Sequence, residues 1–278
     1  AQVPPGQGAS GEREADGGGA VDGVADVVGQ KVLDVWTAMS RFHRDGWGAA
    51  WVDAAGGSAS LRYQRSVLPA HADPDFTARA LAPSRATLMH LRWASTGMDV
   101  TGLNTHPFVS GGTALAHNGY IAPINVLDSE LPVDVVDACR GTTDSERYAQ
   151  LVHHHQEAGL ALPEAVQRAA AELRRLHPCA SLNAVVLGTG SLVVVHANEA
   201  AVPDVAAMHA GGMTVDNALA EHLDGRYYRM SVKRLDDGAL AFSSSGIPRE
   251  GWVTLPDETV TAVDLASGEV RQRGLLEG

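Results

Sequence analysis

Three clusters between Met89 and Glu146 hold the side chains best suited to chemistry: His90-Leu91-Arg92-Trp93-Ala94-Ser95-Thr96-Gly97, Ala116-His117-Asn118-Gly119-Tyr120-Ile121 and Gly141-Thr142-Thr143-Asp144-Ser145-Glu146. Together they offer a fixed cation, a side-chain amide beside a glycine N–H, and a carboxylate. A cavity that grips an amino-acid head group while a neighbouring amide or acyl bond is attacked needs those three groups. Singly, each also has a plainer reading. Arg92 follows a predicted strand, where its planar fork suits a substrate carboxylate but also a structural ion pair. Asn118-Gly119 at a strand end can form an oxyanion hole from an amide N–H₂ and a backbone N–H, or simply a turn. Asp144 at a helix start can accept from a substrate ammonium or cap the helix.

The elements that must position these groups follow from periodicity. Val27, Val28, Val32, Val35, Trp36 and Met39 recur at helical spacing and predict one amphipathic helix from Val24 to near Phe42. Asp45-Gly46-Trp47-Gly48-Ala49-Ala50-Trp51-Val52 reads as a turn feeding a buried strand. Further strands are expected over Leu61 to Val67, Thr87 to Trp93 and Gly111 to His117, with a polar linker (His71 to Asp75) and a short helix (Phe76 to Leu81) between the first two. A helix capped by Thr143 or Asp144 runs to Ala158, and Pro163 opens another, Glu164 to Leu176. Ser181 to Leu187 and Ser191 to His196 read as a hairpin across Gly188-Thr189-Gly190. Asn198 to Glu221 has no readable period. Tyr227 to Lys233, Ala239 to Ser243, Trp252 to Leu255 and Thr259 to Asp264 are expected to form one antiparallel system. Strands, helices, then strands imply an α+β protein with two antiparallel sheets and a helix pair outside.

Composition limits the partners. The chain of 278 residues, 45% hydrophobic, can bury one large core. We expect a flexible arm over residues 1–23, too polar to offset the entropy of ordering, and one domain over 24–278. A net charge of −12 argues against nucleic-acid and anionic-membrane surfaces. No run approaches the roughly 18 apolar residues of a membrane span, and no basic-then-apolar leader opens the sequence, so a cytoplasmic location is expected. Cys139 and Cys179 form neither a disulfide framework nor a CxxC metal pattern and are expected to be buried or half-buried. His153-His154-His155 on a helix point in different directions, so they are read as solvent-exposed rather than as a metal site. His90, His106 and His117 lack a carboxylate to complete a metal triad, and no Walker or dinucleotide glycine motif is present. Neither a metal nor a cofactor is expected.

The combination of clusters carries a resemblance. Asp45-Gly46-Trp47-Gly48, the segment His90 to Gly97, Asn104-Thr105-His106-Pro107-Phe108, His117-Asn118-Gly119 and Thr143-Asp144-Ser145-Glu146 occur in the order seen in class II, N-terminal-nucleophile (Ntn) glutamine amidotransferases. The chain resembles especially the free-standing bacterial members related to the γ-glutamyl hydrolase of ergothioneine synthesis. A weaker similarity runs from Tyr227-Tyr228-Arg229 through Trp252. The resemblance implies a four-layer αββα sandwich whose pocket binds glutamine or a γ-glutamyl group. By match, Arg92 would hold the α-carboxylate with Ser95 assisting, Asp144 would take the α-ammonium, and Asn118 with the Gly119 N–H would stabilise the oxyanion. Trp47 and Trp93 would be packing residues near the pocket. The implied partner is a small-molecule substrate, and both a stand-alone hydrolase and a subunit working with a synthase partner are compatible with it.

In that family the nucleophile is a cysteine at the first position of the mature chain, with its own α-amine as base. This sequence begins Ala1-Gln2-Val3, and Cys139 and Cys179 lie in the wrong places to substitute. Ser10 is the only hydroxyl or thiol side chain before Thr37, yet a polar run rather than an apolar strand follows it. Ser243-Ser244-Ser245-Gly246 is read as a loop near the pocket, not a nucleophile. Two expectations follow. If a strand bearing the cysteine belongs to the working protein, the sheet should show an unpaired position for it. If the protein is instead a catalytically inactive binding member of the fold, that position should be filled or closed.

Overall fold

The computed structural model describes residues 23–53, 59–95, 97–214, 226–248 and 250–277. The predicted arm, apart from Gly23, and Ser10 lie outside the described residues. The first layer is helical: α1 (Val24–Val28), α2 (Gln30–Met39) and α3 (Pro74–Leu81) pack on a three-stranded sheet of β1 (Trp47–Asp53), β2 (Ser60–Ser66) and β3 (Ala86–Leu91), in the order β2-β1-β3. Leu33, Met39, Phe76 and Ala80 from the helices bury Trp47, Ala49 and Leu91 of the sheet. Trp47 anchors this layer, donating its indole N–H to Asp73 at 2.9 Å and meeting the Phe76 ring edge-on at 5.3 Å.

The other face of β1 and β3 looks inward. Ala50, Val52 and Leu88 pack against Ala114, Ala116 and Leu187 of a six-stranded sheet. That sheet contains β4 (Phe108–Ser110), β5 (Thr113–Asn118), β6 (Asn183–Leu187), β7 (Ser191–His196), β11 (Thr259–Asp264) and β12 (Val270–Gly274), ordered β12-β11-β7-β6-β5-β4 and antiparallel throughout. Alternation explains its two buried faces: Ala114 and Ala116 face β1 and β3, while Leu115 faces the outer helices. On that far side α6 (Asp144–Glu157) and α7 (Leu162–Leu176) bury Tyr148, Leu151, Val152, Val166 and Leu173 against Val186, Val193 and Val195. Shorter helices α4 (Ile124–Glu130) and α5 (Val133–Asp137) brace α6, and Arg147 of α6 binds Asp128 of α4.

A third, small sheet of β8 (Ser231–Arg234), β9 (Leu240–Ser243) and β10 (Val253–Thr254), in the order β10-β8-β9, packs Met230, Val232 and Phe242 on Val194 of β7. The molecule is therefore the expected four-layer αββα sandwich, but its second β layer is made of two three-stranded pieces. β3 is the outer strand of one piece and β9 of the other, and both line the same apolar cavity of about 430 Å³. Val24, Val28 and Trp36 of α1 and α2 also line it.

Several expectations need correcting. The single helix expected from Val24 to Phe42 is two helices, because Gly29 at φ 87° ends one and begins the other, and the second stops at Met39. The strands after Tyr227 do not form one system: β8, β9 and β10 form their own sheet, whereas β11 joins the large one. The strand expected from Tyr227 begins only at Ser231, and Thr87 to Trp93 ends at Leu91. Within the unreadable stretch after Asn198, α8 (Val205–Ala210) forms, and β12 was not anticipated. Cys139 is half-buried as expected, but Cys179 is exposed. His153, His154 and His155 are half-buried rather than solvent-exposed. Their pointing in different directions gives each its own carboxylate: Glu157 at 3.6 Å, Asp134 at 2.7 Å and Glu172 at 3.1 Å.

Candidate functional site

A second cavity, about 440 Å³, opens where the C-terminal ends of β3 and β5 meet the N-terminus of α6. Arg92, Ser95, Asn118, Gly119 and Asp144 all line it. Five residues chosen from separate stretches of sequence thus share one cavity, although they enter it from different elements.

Arg92 lies just past β3 and is 2% exposed. Its backbone is clamped to the turn before β1: Asp45 N–H donates to Arg92 O at 3.1 Å, and Arg92 N–H donates to Gly46 O at 2.8 Å. Gly46, at φ 118°, is required there, since a Cβ would sit 2.4 Å from Ser66 O. The guanidinium donates to the carbonyls of Asp45 at 3.3 Å and Asp99 at 3.1 Å. No ion pair to Arg92 occurs among the described residues, and its guanidinium rests on those two carbonyls. Burial lowers the guanidinium's pKa, and nearby Asp45 opposes that. An anion entering the cavity therefore meets a positive charge without a carboxylate partner. Ser95 is exposed at the rim, three residues further along.

Asp144 is 8% exposed at the first turn of α6. The cap itself is Thr143, whose hydroxyl accepts from Glu146 N–H at 3.1 Å. That frees Asp144 to bind elsewhere: Oδ2 accepts from Ile121 N–H at 2.8 Å and Oδ1 from Ser145 N–H at 2.8 Å. Oδ2 keeps a further lone pair for a cationic ligand, while Oδ1 also has the Ser145 hydroxyl at 3.3 Å. The loop ahead of α6 is fixed by Asn104, whose Oδ1 accepts from Thr142 N–H at 2.9 Å, and by Glu146, which accepts from Arg140 N–H and Gly141 N–H.

Asn118 ends β5, paired in register with Asn183 of β6. Its amide nitrogen is buried and has no hydrogen-bond partner among the described residues. Such a donor costs about 1 to 3 kcal/mol unless something occupies it. Gly119 beside it is obligatory, because a Cβ would lie 2.1 Å from Ser181 O. Asn118 also lines the apolar cavity between β3 and β9, together with His90, Ser244 and Ser245, so the two cavities meet at this amide.

A layer of histidines backs the site. The His90 and His106 rings stack at 4.1 Å, and His106 has no partner on either ring nitrogen among the described residues. Burial, reinforced by the Arg92 charge, pushes His90 down to about 3, and burial holds His106 well below its ordinary value. Both stay neutral at physiological pH. Sequence reasoning missed Asp204 and Tyr228, which line the cavity opposite Arg92's loop. Burial, then the charges of Asp204 and Asp144, raises the Tyr228 phenol. Asp204 lies in the aperiodic stretch after Asn198, where no signal marked it; Tyr228 lay in a noted similarity but was read as strand. Trp93 lines the cavity, whereas Trp47 is buried beneath α3.

Known proteins match the chain at the level of family and fold. The family described as class-II glutamine amidotransferases matches residues 31–210. Among curated relatives, the glutamine–fructose-6-phosphate aminotransferase (isomerizing) of Xanthomonas campestris pv. campestris is 39% identical over 84 residues, 30% of this chain and 14% of that protein. The enzyme of the same name from Yersinia pseudotuberculosis is 32% identical over 135 residues, 47% of this chain and 20% of that protein. The chain thus spans only about a seventh to a fifth of these relatives' length. Among solved structures, a glutamine aminotransferase class-II domain protein from Silicibacter pomeroyi shares the fold with a TM-score of 0.54 and 21% identity, over 83% of this chain and 91% of that one. The glutamine phosphoribosylpyrophosphate amidotransferase of B. subtilis superposes with a TM-score of 0.57 at 12% identity, covering 87% of this chain and 46% of that one. With the matched span covering more than half the sequence, the chain belongs to the class II glutamine amidotransferase family.

Proposed function

We propose that this chain binds glutamine, or the γ-glutamyl group of a related amide, and serves its cleavage by thiol acyl transfer. The carrying observation is the convergence of Arg92, Asp144 and the unpartnered Asn118 amide on one cavity of amino-acid size. Arg92 takes the α-carboxylate with Ser95 assisting at the rim, and Asp144 takes the α-ammonium. The Asn118 amide and the Gly119 N–H receive the oxyanion as the carbonyl becomes tetrahedral. A thiolate attacks that carbonyl, ammonia or an amine leaves with the proton taken from the thiol, and water then releases glutamate from the thioester.

In this reading the thiol is an N-terminal cysteine, with its α-amine as base, on an extended apolar strand laid between the outer edges of β3 and β9. The cavity between those edges supports it: apolar, bounded by two strands that each lack a partner on one side among the described residues, and sharing Asn118 with the binding cavity. Two further strand ladders would join the three-stranded pieces into one sheet. The relation to the γ-glutamyl hydrolase of ergothioneine synthesis, the cytoplasmic location and a synthase partner belong to the same reading.

Calorimetry and ammonia release test it together. The chain as given should bind L-glutamine and release no ammonia from it. The chain carrying an apolar strand with an N-terminal cysteine ahead of Gly23 should bind and release it, and a serine at that first position should abolish release. Binding without turnover in every strand-bearing form would leave a non-catalytic amino-acid-binding protein. Absence of binding to both forms would remove the glutamine assignment.

A further inference from the structure

Behind Asn118 and Gly119 runs a closed ring of hydrogen bonds that joins their turn to Asp144 through His117. His117 Nε2 lies 2.8 Å from Ser181 O, and His117 Nδ1 lies 3.0 Å from Ser145 Oγ. Ser181 Oγ donates to Asn118 O at 2.8 Å. Ser145 N–H donates to Asp144 Oδ1, and Asp144 Oδ2 accepts from Ile121 N–H, both at 2.8 Å. The backbone from His117 to Ile121 closes the circuit. His117 is 2% exposed, Ser181 2% and Ser145 4%, so water does not compete for these bonds.

The tautomer follows from the partners. A backbone carbonyl can only accept, so Nε2 carries the proton and donates to Ser181 O. In the neutral ring Nδ1 is then an acceptor, and the single Ser145 hydroxyl proton is drawn to it at 3.0 Å rather than to Asp144 Oδ1 at 3.3 Å. The imidazole also limits the turn sterically: a Cβ on Gly119 would lie 2.6 Å from His117 Nε2.

From this ring we infer that His117 is a positioning residue for the oxyanion donors. It pulls Ser181 against the Asn118–Gly119 turn, and through Ser145 it ties that turn to the carboxylate proposed to hold the α-ammonium. The inference rests on the glutamine reading of the cavity and adds a role to a residue to which that reading gives none.

Two substitutions separate the ring's halves. In His117→Gln the side-chain amide reaches the Nε2 level and can still donate to Ser181 O. In His117→Asn the amide stops at the Nδ1 level, keeps an acceptor for Ser145 and loses the link to Ser181. Affinity is read by calorimetry on the full chain with L-glutamine and with L-norvaline, which keeps the α-carboxylate and α-ammonium but has a methyl in place of the carboxamide. The expected result is a loss of about 3- to 10-fold for glutamine in His117→Asn, the range for one neutral hydrogen bond, with norvaline changed less than about twofold and His117→Gln near wild type. A nitrogen-15 spectrum of the wild-type chain should show a single neutral Nε2–H tautomer at His117. Equal losses for both ligands, or an Nδ1–H tautomer, would make His117 merely structural and overturn the inference. If wild type binds norvaline as well as glutamine, or binds neither, the glutamine reading fails first and the positioning role falls with it.

Discussion

Replacing Arg92 by alanine should separate the head-group reading from a purely structural one. The guanidinium is 2% exposed, has no ion pair among the described residues, and donates to two backbone carbonyls at 3.1 and 3.3 Å. If a ligand carboxylate completes its fork, the charge-assisted bonds lost are worth about 1.5 to 3 kcal/mol, or roughly 10- to 150-fold in affinity for L-glutamine. The structural cost should be smaller, about 1 kcal/mol, because Asp99 is exposed and its carbonyl can rehydrate. In a domain of this size that lowers Tm by roughly 2–4 °C. The decisive assay compares L-glutamine with its α-carboxamide, which lacks the carboxylate. Wild type should prefer glutamine by that same factor, and Arg92→Ala should bind both equally. Equal affinity of the two proteins for glutamine, or parallel loss for both ligands, would refute the role assigned to Arg92.

Gly119→Ala should cost about 3 kcal/mol, the upper end for overpacking, because the new Cβ meets Ser181 O at 2.1 Å and that carbonyl is already held by His117. Thermal melts check it, and an unchanged Tm would mean the 118–119 turn can retreat. Acid should weaken the fold through the stacked histidines. His90 is held at about 3 and His106 also well below 6.5, so below pH 6.5 the unfolded chain takes up protons that the folded one refuses. Stability is full above pH 6.5 and falls toward pH 3, by at most about 1.4 kcal/mol per pH unit for each ring. Denaturant midpoints at pH 7.5 and 5.0 measure this, and His106→Phe should flatten the slope; an unaltered slope would contradict the buried neutral pair.

How much of this was legible in the sequence depended on the range of the interactions. The strands around Trp47, Thr87 and Gly111 and the helix after Thr143 were readable because alternation, 3.6-residue spacing and a capping threonine are local signals. Gly29 was passed over because apolar spacing continues across it, and only its positive φ reveals the break. The helices α4 and α5 are five to seven residues long, follow Pro123 and Pro132, and owe their existence to packing on α6 rather than to periodicity. The division of the late strands between two sheets is likewise a matter of partners: β11 finds β7, more than 60 residues away, and no feature of Thr259 to Asp264 alone names that choice. Within the site, Arg92, Asn118 and Asp144 stood out by type and motif. Asp204 is an ordinary acidic residue until the fold brings it beside Tyr228.

The distinction between a binder and a hydrolase turns on Asn118. Holding a free amino acid requires Arg92 and Asp144 alone, since carboxylate and ammonium supply most of the affinity. A buried amide donor without a partner works against stability, and Asn118's is held in place by Ser181 on its own carbonyl and by the β6 register on its backbone. Its place among the residues that line both cavities fits the proposed reading, in which a carbonyl on one side is attacked by a thiol arriving from the other. The glycine beside it is fixed by the same neighbour: only Gly119 permits the close approach to Ser181 O. In the proposed reading, head-group recognition accounts for the cavity's charges, and a developing oxyanion accounts for an unpartnered amide donor beside an obligatory glycine.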